Sequence, residues 1–316
     1  MPVSLITGAL GQIGSDLALA LRERGSSEEV VGTDIYAFAP EDTQTRYTRL
    51  DVTEKPAIGQ LLYEMKAEVV YHLASLLSAR GEERPHLAWD VNMQGLKHVL
   101  DACAERKLKL FWPSSIAVFG PSTPRQETPQ RTVLEPTTIY GVTKRAGELL
   151  CQYYHLQYSL DVRSVRFPGI LSYTAPPGGG TTDYSVEMLR AAAAGLPYTC
   201  FLRPDTRLPM MYMPDAVHSI LAIMEAASEG LTVRTSYNLA AFSFTPAELE
   251  AEIRRHYPSF TCAYAPDHRQ RIADSWPESI DDSQAREDWG WKPQFTFEEM
   301  VADMLEQLSK RTESLA

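Results

Sequence analysis

The sequence predicts an α/β fold: a doubly wound parallel sheet followed by a smaller, loop-rich C-terminal lobe. Three observations carry that expectation. Short apolar runs alternate with helical periods through the first half of the chain. The connections between those runs are long enough for right-handed crossovers, which demand parallel strands. Beyond Gly169 the rhythm changes, because a Pro/Gly-rich segment at 175–180 breaks it and strands become sparse. The expected division is 1–168 and 169–316, with the chain weaving between the two parts. The 316 residues suffice for one large core or two unequal ones.

Residues 3–7 read as a buried strand. The helix expected at 12–24 repeats Ile13, Leu17, Leu19, Ala20 and Leu21 at helical spacing. Strands two and three are expected at 30–34 and 46–50, a helix at 54–65, and strand four at 68–73. One helix is expected over 85–106, then strand five at 108–114, a long helix at 139–158 and strand six at 161–167. Past the break, helices are expected near 184–194, 214–228, 245–255 and 296–309, with short strands near 236–239 and 261–263. The chain has no internal repeat and no low-complexity tract.

The composition, 44% hydrophobic and 22% charged, excludes a disordered or fibrous chain. A formal net charge of -11 without a basic stripe argues against nucleic acid or an anionic membrane as partner. No apolar stretch approaches the ~18 residues of a membrane span. The opening Met-Pro-Val-Ser-Leu-Ile-Thr-Gly has no basic leader ahead of a long apolar run, so no signal peptide is expected. Cys103, Cys151, Cys200 and Cys262 form no CxxC pair and suit a reducing cytoplasm. The seven histidines fall in no HExxH or other ligand spacing, so no metal is expected.

Thr7-Gly8-Ala9-Leu10-Gly11-Gln12-Ile13-Gly14 follows the first strand and opens the first helix. So tight a turn needs glycine for positive φ and close backbone approach. Amides at the helix start then point at a pyrophosphate, whose charge the helix dipole favours. A plain strand–helix turn would read the same, but Asp34 stands twenty residues after Gly14, at the end of strand two. Its carboxylate can accept from adenosine ribose hydroxyls and would repel a 2′-phosphate; no Arg follows it closely. NAD is therefore expected rather than NADP. Asp51 and Val52 can receive the adenine ring, and Leu73, Ala74 and Ser75 let backbone approach the cofactor, although ordinary strand ends would look alike. Ile35, Leu50, Phe167 and Ile170 complete the expected cofactor-binding positions.

Tyr140-Gly141-Val142-Thr143-Lys144 puts a phenol and an amine four residues apart, on one face of a helix. Free tyrosine, with a pKa of ~10, is a poor base at neutral pH. A neighbouring ammonium and a positive nicotinamide favour the phenolate. Lowering its pKa by about two to three units takes roughly 3–4 kcal/mol. The phenolate is then expected to take an alcohol proton while hydride leaves for the nicotinamide. Pro113-Ser114-Ser115 ends strand five, where a hydroxyl can donate to the substrate oxygen. Ser115 is the expected donor and Ser114 a packing or neighbouring contact; a capped strand end is the plainer reading of both.

Together, TGxxGxxG, the acidic end of strand two, the Ser of strand five and YxxxK resemble the extended short-chain dehydrogenases, the NAD-dependent epimerase/dehydratase family, with its Rossmann-type sheet. The resemblance continues through Tyr212-Met213-Pro214-Asp215-Ala216-Val217 and Asp288-Trp289-Gly290-Trp291-Lys292-Pro293, so it spans nearly the whole chain. Within the family, the stretches 166–173 and 176–184, Ser275-Trp276-Pro277 and Ile280-Asp281-Asp282-Ser283 resemble the short-chain branch of L-threonine 3-dehydrogenases. Nucleotide-sugar enzymes of the family usually carry Asn where this chain has Pro168. Dehydratases add an acidic pair that Ser115-Ile116-Ala117 lacks. Both departures argue against a nucleotide-sugar substrate.

The resemblance implies oxidation of L-threonine by NAD+ to 2-amino-3-oxobutanoate. Tyr140 would be the base, Lys144 its pKa-lowering partner and ribose anchor, and Ser115 the group that holds the substrate hydroxyl. It also implies that Asn92 supports the lysine through water. A substrate bearing an ammonium and a carboxylate needs polar groups around it; Ser78, Gly180, Thr181 and Thr182 are the candidates. Residues 178–180 would be a hinge that closes the loop and excludes water, or else a surface turn. In relatives the helices near 85–106 and 139–158 form a four-helix dimer interface. Leu149, Leu150, Tyr153 and Leu156 would suit a homodimer and would equally suit burial on the sheet. Two rivals stand beside this reading: a nucleotide-sugar epimerase or dehydrogenase of the same family, and a non-catalytic NAD-sensing regulator, which would usually have lost Tyr140 or Lys144.

Overall fold

The computed structural model describes residues 3–24, 29–36, 45–174, 178 and 180–315. Six strands of the first half are β1 (Val3–Thr7), β2 (Glu29–Asp34), β3 (Arg46–Arg49), β4 (Val69–His72), β5 (Lys109–Ser115) and β6 (Val162–Phe167). They lie in the order β3-β2-β1-β4-β5-β6, with Tyr237–Asn238 paired beyond β6 as the seventh strand. Every pairing is parallel. The order reverses between β1 and β4, and the carboxyl ends there open the crevice in which such sheets take ligands.

β1 and β6 are buried at every position, as expected for strands covered on both faces by helices. On one face Leu5, Val31, Val70, Leu110 and Trp112 pack with helices Lys55–Glu64, Gly95–Arg106 and Ile139–Tyr158. On the other, Ile6, Tyr71, Phe111 and Val165 pack with helices Gln12–Glu23 and Met213–Glu225.

The single helix expected over 85–106 is interrupted. Helix Pro85–Trp89 runs into a π-helical turn, Asp90–Gln94, before Gly95–Arg106 resumes. The wide turn presents Asn92 inward, and such turns recur at functional sites.

The second half holds more strands than the sequence suggests. Phe242–Phe244, Leu208–Tyr212 and Gly169–Leu171 form a three-stranded sheet, and Cys262–Tyr264 pairs with Tyr198–Cys200. Leu208–Tyr212 is wholly buried, but its Pro209 argues against a strand on sequence grounds. The strand expected near 236–239 joins the large sheet rather than the smaller lobe. Helix Met213–Glu225 likewise packs against helix Gln12–Glu23 of the first half. Of the Pro/Gly-rich segment, 175–177 and Gly179 lie outside the described residues.

Trp291 is buried in the cluster that contains Ile6 and Phe111, and its indole N–H donates to Asp282 Oδ2 at 2.9 Å. Trp291→Ala should therefore cost about 3–5 kcal/mol, read as a fall in Tm. An unchanged Tm would show that the chain near 291 does not brace the sheet.

Candidate active site

Gly8 has φ of +70°, and a Cβ there would lie 2.7 Å from the Ala74 nitrogen. A Cβ at Gly14 would lie 2.3 Å from Gly8 O. The turn after β1, the first helix and the end of β4 thus meet backbone to backbone. Gly11 caps helix Gln12–Glu23 without a side-chain hydrogen bond, and the first turn holds no acidic residue. Its leading amides therefore suit the phosphates of a dinucleotide. Asp34 Oδ2 accepts the Leu10 N–H at 3.2 Å and Oδ1 the Tyr36 N–H at 3.4 Å. A carboxylate so bonded keeps lone pairs for ribose hydroxyls. These residues fit the group that the motif implies.

The other expected cofactor positions fall around the same crevice with different exposures. Ile35 is exposed beside Asp34, whereas Leu50 and Val52 turn into the core. Asp51 Oδ1 accepts the Thr53 N–H at 2.9 Å and the Thr53 hydroxyl at 2.7 Å. Leu73 N–H donates to Thr7 O at 3.0 Å, and Ala74 N–H to Thr7 Oγ1 at 3.4 Å. Phe167 is buried, and Ile170 is half-buried just past β6.

Asn92 links two elements. Its Oδ1 accepts from the Ser75 hydroxyl at 3.1 Å and the Leu76 N–H at 2.7 Å. Its Nδ2 donates to Leu76 O and to Thr143 Oγ1, both at 3.1 Å. These direct bonds tie the end of β4 to Thr143, the residue before Lys144.

Thr138 caps helix Ile139–Tyr158, its Oγ1 accepting the Gly141 N–H at 3.1 Å. A Cβ on Gly141 would fall 2.1 Å from Ala117 O. Glycine there lets the helix abut the turn that follows Ser115. Ser115 Oγ accepts the Ala117 N–H at 3.2 Å and also bonds the Tyr140 phenol. Lys144, one turn further on, is buried, with Nζ donating to Pro113 O at 2.7 Å. That nitrogen lies 4.7 Å from the Trp112 ring centroid and 5.5 Å from that of Tyr140. Ser115, Tyr140 and Lys144 therefore gather where β5 ends and the helix begins.

Burial dominates the electrostatics of these groups in the protein alone. Burial pushes the Tyr140 phenol up to about 12, with the Ser115 bond opposing. Burial also pulls Lys144 down to about 7, opposed by Cys151 and Glu148. The protein alone does not lower the phenol, because desolvation penalises the charged forms of both groups. His72 bonds Thr7 Oγ1 through Nδ1 at 2.7 Å. Burial and the neighbouring Lys144 pull it down to about 3, so it stays neutral beside the amine.

Ser78 opens the short helix Ser78–Glu83, which is tied to the Tyr140 helix because Ile139 N–H donates to Glu82 Oε1 at 2.7 Å. Gly180 and Asp183 close a turn around Thr181 and Thr182: Gly180 N–H donates to Asp183 Oδ2 at 2.7 Å and Asp183 N–H to Gly180 O at 3.2 Å. Thr181 is buried, and Thr182 packs against the backbone of Gly169. Gly178 lies against Leu77, beside Ser78. The middle of the expected hinge, Gly179, is outside the described residues. Among the described residues, no group of three His, Cys, Asp or Glu side chains is placed to hold a metal ion.

Sequence reasoning missed Glu148 and Arg166, a buried ion pair directly behind Ser115 and Lys144. A signal existed, since Arg166 is a charge inside an otherwise buried strand.

Residues 4–240, from β1 to the seventh strand of the sheet, match the NAD dependent epimerase/dehydratase family. An uncharacterized epimerase/dehydratase of Staphylococcus haemolyticus is 46% identical, covering 98% of both chains. The holo form of a GalE-like L-threonine dehydrogenase from Cupriavidus necator superposes with a TM-score of 0.95 at 51% identity, covering 97% of this chain and 100% of that one. A monomeric L-threonine 3-dehydrogenase from a metagenome superposes with a TM-score of 0.93 at 45% identity, covering 98% and 99%. The match takes in the glycine turn, Asp34, Ser115, Tyr140 and Lys144, and this chain belongs to the NAD-dependent epimerase/dehydratase family.

Proposed function

We propose that the protein oxidises L-threonine at C3, passing hydride to NAD+ and releasing 2-amino-3-oxobutanoate, NADH and a proton. One observation carries this reading. Ser115, Tyr140 and Lys144 meet beside a dinucleotide turn, in a chain whose structural neighbours at 45–51% identity are L-threonine dehydrogenases. Bound NAD+ supplies the hydride acceptor and a positively charged ring. The first-turn amides after Gly11 and the carboxylate of Asp34 hold the coenzyme. Pro113 O uses one of the three Lys144 donors, and the others reach a ribose hydroxyl.

Ser115 accepts from Ala117 N–H and bonds the Tyr140 phenol, so a substrate oxygen that enters between the two hydroxyls takes the serine proton. Tyr140 takes the proton of the C3 hydroxyl, and the Lys144 ammonium favours the resulting charge. Ser78, Gly180, Thr181 and Thr182 offer polar atoms to the ammonium and carboxylate of the substrate. Residues 1–168 act as the coenzyme part and 169–316 as the substrate part, with the interweaving described above. The four cysteines are free thiols, in keeping with a cytoplasmic place; oxidation of threonine would place the enzyme in threonine catabolism.

A homodimer is part of this proposal. Leu149, Tyr153 and Leu156 are 48%, 51% and 68% exposed, with Leu87 and Trp89 also exposed on the neighbouring helix. Only Leu150 of the four candidates packs toward the sheet. Contiguous exposed apolar side chains on two adjacent helices fit a second copy of the chain. The metagenome relative is named as monomeric, so the state must be measured.

Tyr140→Phe should abolish threonine-dependent NADH formation, by about 100-fold or more, with NAD affinity retained. Activity that survives would remove Tyr140 from the base role. Turnover of UDP-sugars without turnover of threonine would overturn the substrate. Replacing Tyr153 and Leu156 by glutamate should shift the sedimentation coefficient from dimer to monomer; a wild-type monomer would refute the dimer.

The amine of Lys144 has a folded pKa of about 7 against 10.5 for an ordinary lysine. Between these values the unfolded chain binds more protons than the folded one, so coenzyme-free stability rises with pH across that window. Lys144→Met removes the gain. The Tm of wild type minus that of the variant should therefore increase as pH rises above 7. A flat difference would mean that the buried amine keeps its charge.

A further inference from the structure

Glu148 follows Lys144 by one helical turn and is fully buried. Its Oε1 accepts the Ser114 hydroxyl and the Arg166 Nε–H, both at 2.7 Å. Its Oε2 accepts from Arg166 Nη2 at 2.9 Å and from Arg145 Nη1 at 3.4 Å. Arg166, also buried, donates from Nη1 to Asn238 Oδ1 at 3.0 Å and to Gln130 O at 3.2 Å. Asn238 in turn donates to Thr128 O at 3.1 Å and Asp281 O at 3.2 Å.

Successive turns of one helix thus bond successive residues of β5: Lys144 to the Pro113 carbonyl, and Glu148 to the Ser114 hydroxyl. Ser115 is next along the strand. A single attachment would leave the strand end free to pivot against the helix, whereas two at adjacent residues set both distance and rotation. A buried carboxylate–guanidinium pair is a costly way to gain stability alone, since a well-packed apolar pair does as well or better.

We propose that Glu148 is a positioning residue: through Ser114 and Arg166, its carboxylate holds Ser115 in register with Tyr140 and Lys144. The proposal rests on the preceding reading of those three as the reacting set. The titratable groups facing the Lys144 amine are Tyr140, Cys151 and Glu148 on its own helix and His72 on β4. From β5 it meets only Pro113 O and the Trp112 ring, and Arg166 of β6 lies behind Glu148. Glu148 is the carboxylate that favours the charged amine. Neutralising it leaves less charge beside the phenol and moves the rising limb of kcat to higher pH.

The test uses the full chain with Ser114→Ala, Ser114→Thr and Glu148→Gln. Ser114→Ala keeps the ion pair; it should retain its Tm and NAD affinity, lose about tenfold in kcat, and be rescued by Ser114→Thr. Glu148→Gln should shift the pH limb upward. If Ser114→Ala keeps wild-type kcat and pH profile, the proposal is overturned, whether or not Glu148→Gln folds. Near-ultraviolet titration of the phenol, as the difference between each protein and its Tyr140→Phe counterpart, needs no substrate. If wild type fails to oxidise threonine, the substrate reading falls, and this titration still decides the positioning role: an upward shift in Glu148→Gln supports it, and no shift overturns it.

Discussion

Placing an amine out of water beside a phenol is the constraint on which the site depends. An uncompensated buried charge costs several kcal/mol. Lys144 is partly compensated by the Pro113 carbonyl, by the faces of Trp112 and Tyr140, and by the field of Glu148. Those partners are within reach because the helix lies unusually close to β5. At Gly147, as at Gly141, a side chain would strike what it packs on, here the Trp112 ring. The close helix–strand approach and the electrostatics of the site are one feature: widening the gap would strand the amine.

The same seam joins two cores. The turn after Ser115, with Ile116, Ala117, Val118 and Phe119, belongs to the hydrophobic cluster of the second half, alongside Tyr184, Met188, Leu202 and Tyr212. The helix bearing Lys144 packs instead, through Cys151 and Tyr154, into the sheet cluster with Leu110 and Trp112. Ser115 and Lys144 therefore flank the boundary between the cores. Arg166 spans that boundary, bonding Glu148 on the helix while its guanidinium lies 5.5 Å from the ring centroid of Phe119.

What was legible in the sequence was local. The long helix expected at 139–158 is found at Ile139–Tyr158, capped by Thr138 and closed by Ser159 in the left-handed conformation. The glycine turn, Asp34 and the Tyr140–Lys144 spacing also lie within short stretches, each with its own stereochemical reason. The π turn at Asp90–Gln94 was invisible, since one extra residue in a turn barely disturbs an apolar period. Gly169–Leu171 and Phe242–Phe244 become strands only by pairing with Leu208–Tyr212, far away in sequence. Glu148 and Arg166 stand 18 residues apart, on a helix and a strand whose contact no spacing rule announces. The upward push on the Tyr140 phenol in the protein alone was hidden for a related reason: the charges of a motif do not show burial, which here is the larger effect.

That push has a mechanistic meaning within the proposed reaction. In the protein alone, burial pushes the phenol up to about 12 and pulls the amine down to about 7. Yet the burial that keeps Tyr140 neutral also lowers the local dielectric, so any positive charge placed beside it acts far more strongly than in water. Lys144 gains the same leverage in reverse, because forming the phenolate stabilises its ammonium. Two groups that burial separately drives to neutrality become a charged pair together more readily than either ionises alone. A solvent-exposed Tyr–Lys pair of the same spacing would lack that coupling, because water would screen each charge from the other.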